Sequence, residues 1–364
     1  MTQTDASEGR ASTGLRAVVV DDSHFMRTVV SDMLKEEGIS VVETASDGKT
    51  GVECVIRHEP DVVTMDLEMP RMDGIEAVER IMKAQPTPIL VLSAHASDGA
   101  ELTFEAMDRG AVDFFEKPSG EISVGIKRQQ TRLAKTVRSV ASVDTPANVH
   151  TSARTSGRPK HAALESECLR EPTLVIGSST GGPTVVTELL SELPVEANLR
   201  ILIVQHMPDG FTARFAERLD QASEYEVREA TDGARIGGGE ALVAKGGKHL
   251  EVSGYGGGRI RVSLTEGEPV HNVRPAADIT LQTAADRIDG PVTAAILTGM
   301  GSDGAAGAEA ISAAGGAVLA QDEETSAVFG MPQRAIETGA VNEIRPREEL
   351  ATGVLDLITT GGRQ

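Results

Sequence analysis

AVVVDD, residues 17–22, decides how the first part of this chain is read. An unbroken apolar run closed by two carboxylates fits a strand buried on both faces, as in a parallel sheet. A helical stretch follows from Ser23 to Glu37 and stops at Gly38. The alternation then repeats. SVVETA (40–45) precedes a helix opening near Asp47, DVVTMDL (61–67) one from about Gly74, and ILVLSA (89–94) one from about Gly99. AVDFFEKP (111–118) is followed by a helical stripe of Ile122, Ile126, Leu133 and Val137. Five strands, each followed by a helix, predict a doubly wound, flavodoxin-like (βα)5 domain over residues 15–138.

The polar residues of this domain fall at strand ends. Asp21 and Asp22 close the first strand, Asp66 the third, Ser93 the fourth and Lys117 the fifth. In an open parallel sheet the carboxyl ends of the strands surround the crevice where ligands bind. Three carboxylates there repel one another, which a hard divalent cation such as Mg²⁺ relieves. Ser93 can donate to a phosphoryl oxygen and Lys117 can pair with its charge. A single strand-end Asp meeting water would need no explanation, but matching residue types on four strand ends do.

VVVDDSHFMR (18–27), MDLEMPRMDG (65–74), LSA (92–94) and FFEKP (114–118) resemble the receiver domains of two-component response regulators. The resemblance implies that Asp66 accepts a phosphoryl group, that Asp21 and Asp22 support Mg²⁺ with Asp66, and that a backbone carbonyl at Glu68 completes the metal's protein ligands. It also implies a histidine kinase as phosphodonor. Phe114 stands where many receivers carry a switching aromatic, often Tyr, so a switch there rests on packing alone.

Periodicity then lapses. SVDTPANVHTSARTSGRPKHAALESE, rich in Ser, Thr, Ala and Pro, reads as a flexible linker over 139–170. A second α/β domain, 171–360, is expected to be doubly wound and mostly parallel, with a β-hairpin excursion over the Gly-rich stretch 231–265.

TLVIG (173–177) runs into Gly177-Ser178-Ser179-Thr180-Gly181, a G-x-S-x-G on a strand-to-helix turn, with Pro183 near the start of the helix. The turn presents Ser179, and the helix N-terminus offers free N–H groups. The same Gly-rich turn could cradle a phosphate or cofactor, although it lacks G-x-G-x-x-G and a P-loop Lys. A serine nucleophile needs a base, and His206 ends the next strand, RILIVQHM (200–207). His249 and His271, in or just after the β-rich excursion, are weaker candidates, and the remaining histidines lie in the first domain or the linker. A carboxylate that orients the base comes at Asp303, after VTAAILTG (292–299) and among glycines. Alone, Asp303 reads equally well as a helix N-cap. The order Ser, His, Asp differs from that of α/β-hydrolases, so the elbow does not imply that fold.

IGSSTGGP (176–183), QHMPDGFTARFAERLD (205–220), GGKHL (246–250), LTGMGSDGAAG (297–307) and AQDEETSAVFGMP (320–332) closely resemble the catalytic domain of chemotaxis protein-glutamate methylesterases. The resemblance implies Ser179 as nucleophile, His206 as base and Asp303 as its orienter, with Thr180 and Met300 near the site and the Met300 N–H an oxyanion donor. It implies hydrolysis of glutamate methyl esters on chemoreceptor helices, deamidation of receptor glutamines, no cofactor for the hydrolysis, and control by receiver phosphorylation. Lys245 departs from the usual Pro, and Ala276-Ala277 from Ser-Val; neither is expected to touch the triad.

Composition excludes several alternatives. Fifty-five acidic residues against 35 basic ones leave a net charge of -20, which repels nucleic-acid phosphates. An acidic surface also suits a high-salt cytoplasm. Cys54 and Cys168 are too few and too far apart for a disulfide framework or zinc cluster. No apolar run approaches the roughly 20 residues of a membrane helix, and the N-terminus MTQTDASEGRASTG lacks an apolar signal segment, so a cytoplasmic protein without membrane insertion is expected. Two rivals stay open at this point: a receiver-controlled hydrolase of a small molecule, and a response regulator whose second domain only binds a partner.

Overall fold

The structure, a computed structural model, describes residues 14–93, 97–117, 126–143 and 172–360. Residues 144–170 of the linker reading, Cys168, Ile122, His95, His150 and His161 lie outside these residues; at 139–141 the linker reading is corrected, because the preceding helix runs on to Ala141.

The first unit runs β1 (Arg16–Val20), α1 (His24–Glu36), β2 (Ser40–Ala45), α2 (Gly48–His58), β3 (Val62–Asp66), α3 (Gly74–Ala84), β4 (Ile89–Ser93), α4 (Ser97–Asp108), β5 (Asp113–Glu116) and α5 (Ile126–Ala141). Helix starts are set locally. Ser23, Asp47 and Asp73 each accept a backbone N–H of the first turn of α1, α2 and α3. The sheet is parallel in the order β2-β1-β3-β4-β5. Ala17 to Val20 are fully buried, as the continuous apolar run requires, and Leu133 and Val137 of α5 join the core on β1 and β3. Order reverses between β1 and β3, so Asp21 and Asp66 flank the switch point where such sheets bind ligands.

The second unit runs β6 (Thr173–Ser178), α6 (Gly182–Glu192), β7 (Arg200–Gln205), α7 (Phe211–Ala222), β8 (Glu226–Glu229), β9 (Arg235–Ile236), β10 (Glu240–Val243), β11 (His249–Gly256), β12 (Arg259–Thr265), α8 (Ala277–Arg287), β13 (Val292–Ile296), α9 (Ala305–Ala313), β14 (Ala317–Gln321), α10 (Met331–Glu337), β15 (Glu343–Arg345) and α11 (Leu350–Thr360). Seven strands form a parallel sheet in the order β15-β14-β13-β6-β7-β10-β8. Helices α6, α7 and α11 pack in one group, and α8, α9 and α10 in another. The hairpin reading of 231–265 holds for β11 and β12, with β9 alongside, but not for β10. Ala241, Leu242 and Val243 are fully buried, and that short apolar run pairs in parallel between β7 and β8. Chain order again reverses at the centre, between β6 and β13. Ser179 follows β6, His206 follows β7 and Asp303 lies beyond β13, so the switch point brings Asp303 to a His206 that lies 97 positions away in the chain.

Candidate active site and phosphoacceptor pocket

Ser179 sits on the turn between β6 and α6, whose N-cap Gly181 has φ +75°, a conformation a side chain would strain. The turn is anchored on both sides. The Ser179 N–H donates to the Thr298 carbonyl (3.0 Å), and its own carbonyl accepts from Gly182 N–H (2.8 Å) and from Gln205 Nε2 (2.8 Å). Gln205 also accepts from the buried Ser178 hydroxyl at 2.6 Å. Thr298 donates to the Thr180 carbonyl (2.9 Å), accepts from Val328 N–H (2.9 Å), and is itself held through its N–H by Gln321 Oε1 (2.9 Å). Gly299 must lack a side chain, because a Cβ there would lie 2.8 Å from that of Ser179.

His206 leaves β7 on the next strand end, its N–H donating to the Ser178 carbonyl at 3.1 Å. Its Nε2 is 2.7 Å from Oδ2 of Asp303, in a pair whose side chains are 10% and 1% exposed. Nδ1 is therefore the nitrogen left to serve as base. No hydrogen bond joins Ser179 Oγ to the imidazole among the described residues, a looseness common before substrate binds. Burial alone would raise the Asp303 pKa. The His206 hydrogen bond and charge, and the N–H groups of Asp278 and Ala277, outweigh it and hold the carboxyl below its ordinary value.

Asp303 is more than a cap for the helix it precedes. Its carboxylate accepts the N–H groups of Ala277 (2.6 Å) and Asp278 (2.9 Å) at the start of α8, as well as Gly304 N–H (3.1 Å). Asp278, in the first turn of α8, accepts the N–H groups of Gly304 (2.9 Å) and Gly307 (2.7 Å) at the start of α9. The two helices exchange caps. Ala277 thus does touch the triad, through its backbone, contrary to the sequence expectation. Lys245 sits away from the triad's hydrogen bonds and pairs with Glu229 (3.1 Å) and Asp209 (3.4 Å). Among the described residues the Thr180 and Met300 N–H groups donate to no acceptor within the protein.

Sequence reasoning missed Asp278, Gln205, Thr298 and Gln321. Gln205, Thr298 and Gln321 lie at or just past buried strand ends, where a polar side chain was their only signal; Asp278, in the first turn of α8, carries no such mark.

In the first unit, Lys117 Nζ lies 2.9 Å from Asp21 Oδ2 and 2.8 Å from Asp66 Oδ1. Carboxylate oxygens of Asp21, Asp22 and Asp66 fall within 4.8 Å of one another. Asp21, Asp66 and Ser93 are buried, whereas Asp22 and the Glu68 side chain are exposed. Burial pushes the Asp66 pKa up, against the pull of Lys117 and with the help of the Asp21 charge. Arg71 closes the loop after Asp66 by pairing with the α2 cap Asp47. Phe114 is buried on β5. A convergent, crowded set of hard oxygen donors fits Mg²⁺.

No helix among the described residues is long and apolar enough to cross a membrane. The family model of the CheB methylesterase matches residues 174–354, and that of the response regulator receiver domain matches residues 17–124. A protein-glutamate methylesterase/protein-glutamine glutaminase of Natronomonas pharaonis is 71% identical, over 96% of this chain and 99% of its own. One of Halobacterium salinarum is 53% identical, over 94% of this chain and 98% of its own. The crystal structure of the Thermotoga maritima CheB methylesterase catalytic domain is 41% identical, covering 51% of this chain and 97% of that one with a TM-score of 0.49. Near-identical length, both family models and the identities to the Natronomonas pharaonis and Halobacterium salinarum proteins lead to one assignment: the chain belongs to the family of receiver-bearing protein-glutamate methylesterase/protein-glutamine glutaminases.

Proposed function

We propose that the second unit is a serine hydrolase that cleaves glutamate 5-O-methyl esters on the cytoplasmic helices of chemoreceptors, and deamidates receptor glutamines to glutamate, under control of the first. The observation that carries this is the buried His206–Asp303 pair at 2.7 Å on the strand ends beside the Ser179 turn. Ser179 Oγ attacks the ester carbonyl while His206 Nδ1 takes its proton. Asp303, ionised and held by helix N–H groups, stabilises the imidazolium. The Thr180 and Met300 N–H groups, lacking partners of their own, receive the oxyanion. His206 returns the proton to the departing methanol, or ammonia for glutamine. Water then adds to the acyl-enzyme with His206 again as base, leaving free glutamate. The hydrolysis draws on no cofactor.

Asp66 accepts a phosphoryl group from a chemotaxis histidine kinase. Asp21, Asp22 and Asp66, with the Glu68 carbonyl, would hold Mg²⁺, which when bound supplies charge neutralisation for an incoming phosphoryl group. Lys117 and Ser93 then hold the phosphoryl oxygens. The setting is the cytoplasm. The test is release of labelled methanol from methylated receptor membranes by the full chain, with and without acetyl phosphate and Mg²⁺. Release that rises with acetyl phosphate and vanishes in Ser179→Ala supports the reading. Labelling of Ser179 by a fluorophosphonate without any methanol release would point instead to a different ester or amide substrate.

A further inference from the structure

His271 has no part in that reaction, yet it is built into the same hydrogen-bond network. Its Nε2 is 2.8 Å from Asp278 Oδ2, and its Nδ1 is 3.2 Å from Ser302 Oγ. Asp278 is 3% exposed, and its backbone N–H is one of the donors on Asp303. Two buried carboxylates therefore stand side by side, each with one imidazole: Asp303 with His206, Asp278 with His271. Ligand atoms of His271, Asp278 and Asp303 lie within 4.8 Å of one another. All four carboxylate oxygens are already engaged by backbone N–H groups or an imidazole, so the arrangement is a relay of hydrogen bonds and not a metal cage.

The loop that carries His271 is held in place at some expense. His271 and Asn272 take φ of 52° and 62°, left-handed values disfavoured for residues other than glycine. The Arg274 guanidinium donates to the Glu266 (3.0 Å) and Gly267 (2.7 Å) carbonyls, Gly247 N–H donates to the Arg274 carbonyl (3.1 Å), and buried His249 bonds the Glu268 carbonyl (3.0 Å). These contacts over-determine a strained conformation whose result is an imidazole on Asp278.

We propose that His271 is a positioning residue for the hydrolysis: its Nε2–H fixes the Asp278 carboxylate, and through it the first turns of α8 and α9 that cradle Asp303 against His206. This rests on the Ser179–His206–Asp303 reading. Without the donor, Asp278 would be a buried anion beside another, free to turn or to take a proton, and Asp303 would lose its fixed frame.

Two substitutions separate position from bulk. In His271→Gln the side-chain amide reaches about where Nε2 stands. In His271→Asn it reaches only about as far as Nδ1, while Asn tolerates the positive φ best of the non-glycine residues. The readout is the rate at which a fluorophosphonate labels the full chain, by intact mass, with Ser179→Ala as control and the melting temperature measured alongside. His271→Asn should label roughly tenfold more slowly while still fully folded at the assay temperature, with the lower melting temperature that loss of one hydrogen bond to a charged group brings. His271→Gln should stay within about twofold of the wild type. Wild-type labelling by His271→Asn would overturn the proposal, as would equal slowing of both variants or a slowing explained by unfolding at the assay temperature. Labelling that persists in Ser179→Ala would overturn the serine assignment itself, and the role of His271 with it.

Discussion

Gln205 makes the sharpest test of how the nucleophile is held. It is 2% exposed and makes two bonds into the turn: Ser178 Oγ donates to its Oε1 at 2.6 Å, and its Nε2 donates to the Ser179 carbonyl at 2.8 Å. Gln205→Met keeps the length and flexibility of the side chain and removes both. The fully buried Ser178 hydroxyl then has no partner, at about 1–3 kcal/mol. The Ser179 carbonyl keeps Gly182 N–H, so its loss is about 1 kcal/mol. The variant should be less stable by roughly 2–4 kcal/mol. Adding Ser178→Ala removes the orphaned hydroxyl and should recover about 1–2 kcal/mol, without re-anchoring the Ser179 carbonyl. Stability and reactivity should therefore part company: fluorophosphonate labelling of Ser179 falls roughly 10- to 100-fold in both the single and the double variant. The chain has two tyrosines, Tyr225 and Tyr255, and no tryptophan, so tyrosine fluorescence during urea unfolding follows the second unit alone. A double variant less stable than Gln205→Met, or one that labels at the wild-type rate, would refute the reasoning.

Asp303→Asn should cost about 2–4 kcal/mol near neutrality, as a buried charged partner is lost. Because the folded pKa of Asp303 is depressed, that stability is present above the ordinary carboxylate value and lost as pH falls through the folded one. The gap between wild type and variant, read by tyrosine fluorescence, should thus be flat from pH 6 to 8 and narrow below about pH 4; a gap unchanged in acid would show that ionisation is not its source. Asp66→Asn should leave a basal esterase that acetyl phosphate and Mg²⁺ cannot raise, and activation of that variant would remove Asp66 as the acceptor. A net charge of -20 predicts that the urea midpoint rises between about 0.01 M and 1 M KCl, as the Debye length shrinks from about 30 to about 3 Å; equal midpoints would sink the idea of a surface suited to high salt.

Much of this was legible in the sequence because strand ends in parallel sheets are marked twice, by an apolar run and by the polar residue that closes it. Asp21, Asp66, Ser179 and His206 all carry that mark, and the structure sets them at the two switch points. β10 misled because its neighbours are Gly-rich and suggest hairpins, while its own Ala-Leu-Val run is too short to declare a place in the main sheet. Asp278 was invisible for a different reason. Its importance lies in N–H groups 26 and 29 residues away, and no local pattern reports which helix a carboxylate will cap.

That exchange of caps resolves an apparent conflict in the triad. A carboxylate that orients a base must be both buried and ionised, and burial by itself favours the protonated form. Surrounding Asp303 with arginine or lysine would keep it charged, but would also draw its charge away from His206. Helix N-termini solve the problem differently. The N–H groups of Ala277, Asp278 and Gly304 are neutral donors that stabilise the anion without competing for it as a counter-ion. Ala277 and Asp278 are free to do so because they open α8, where first-turn N–H groups have no intrahelical acceptor, while Asp278 caps α9 through Gly304 and Gly307. Gly304 N–H is shared between both carboxylates, which ties the two helix starts into one rigid frame. Two short helices and two aspartates thereby build the support that a Ser-His-Asp hydrolase needs, on a sheet whose chain order is unrelated to that of the α/β-hydrolases.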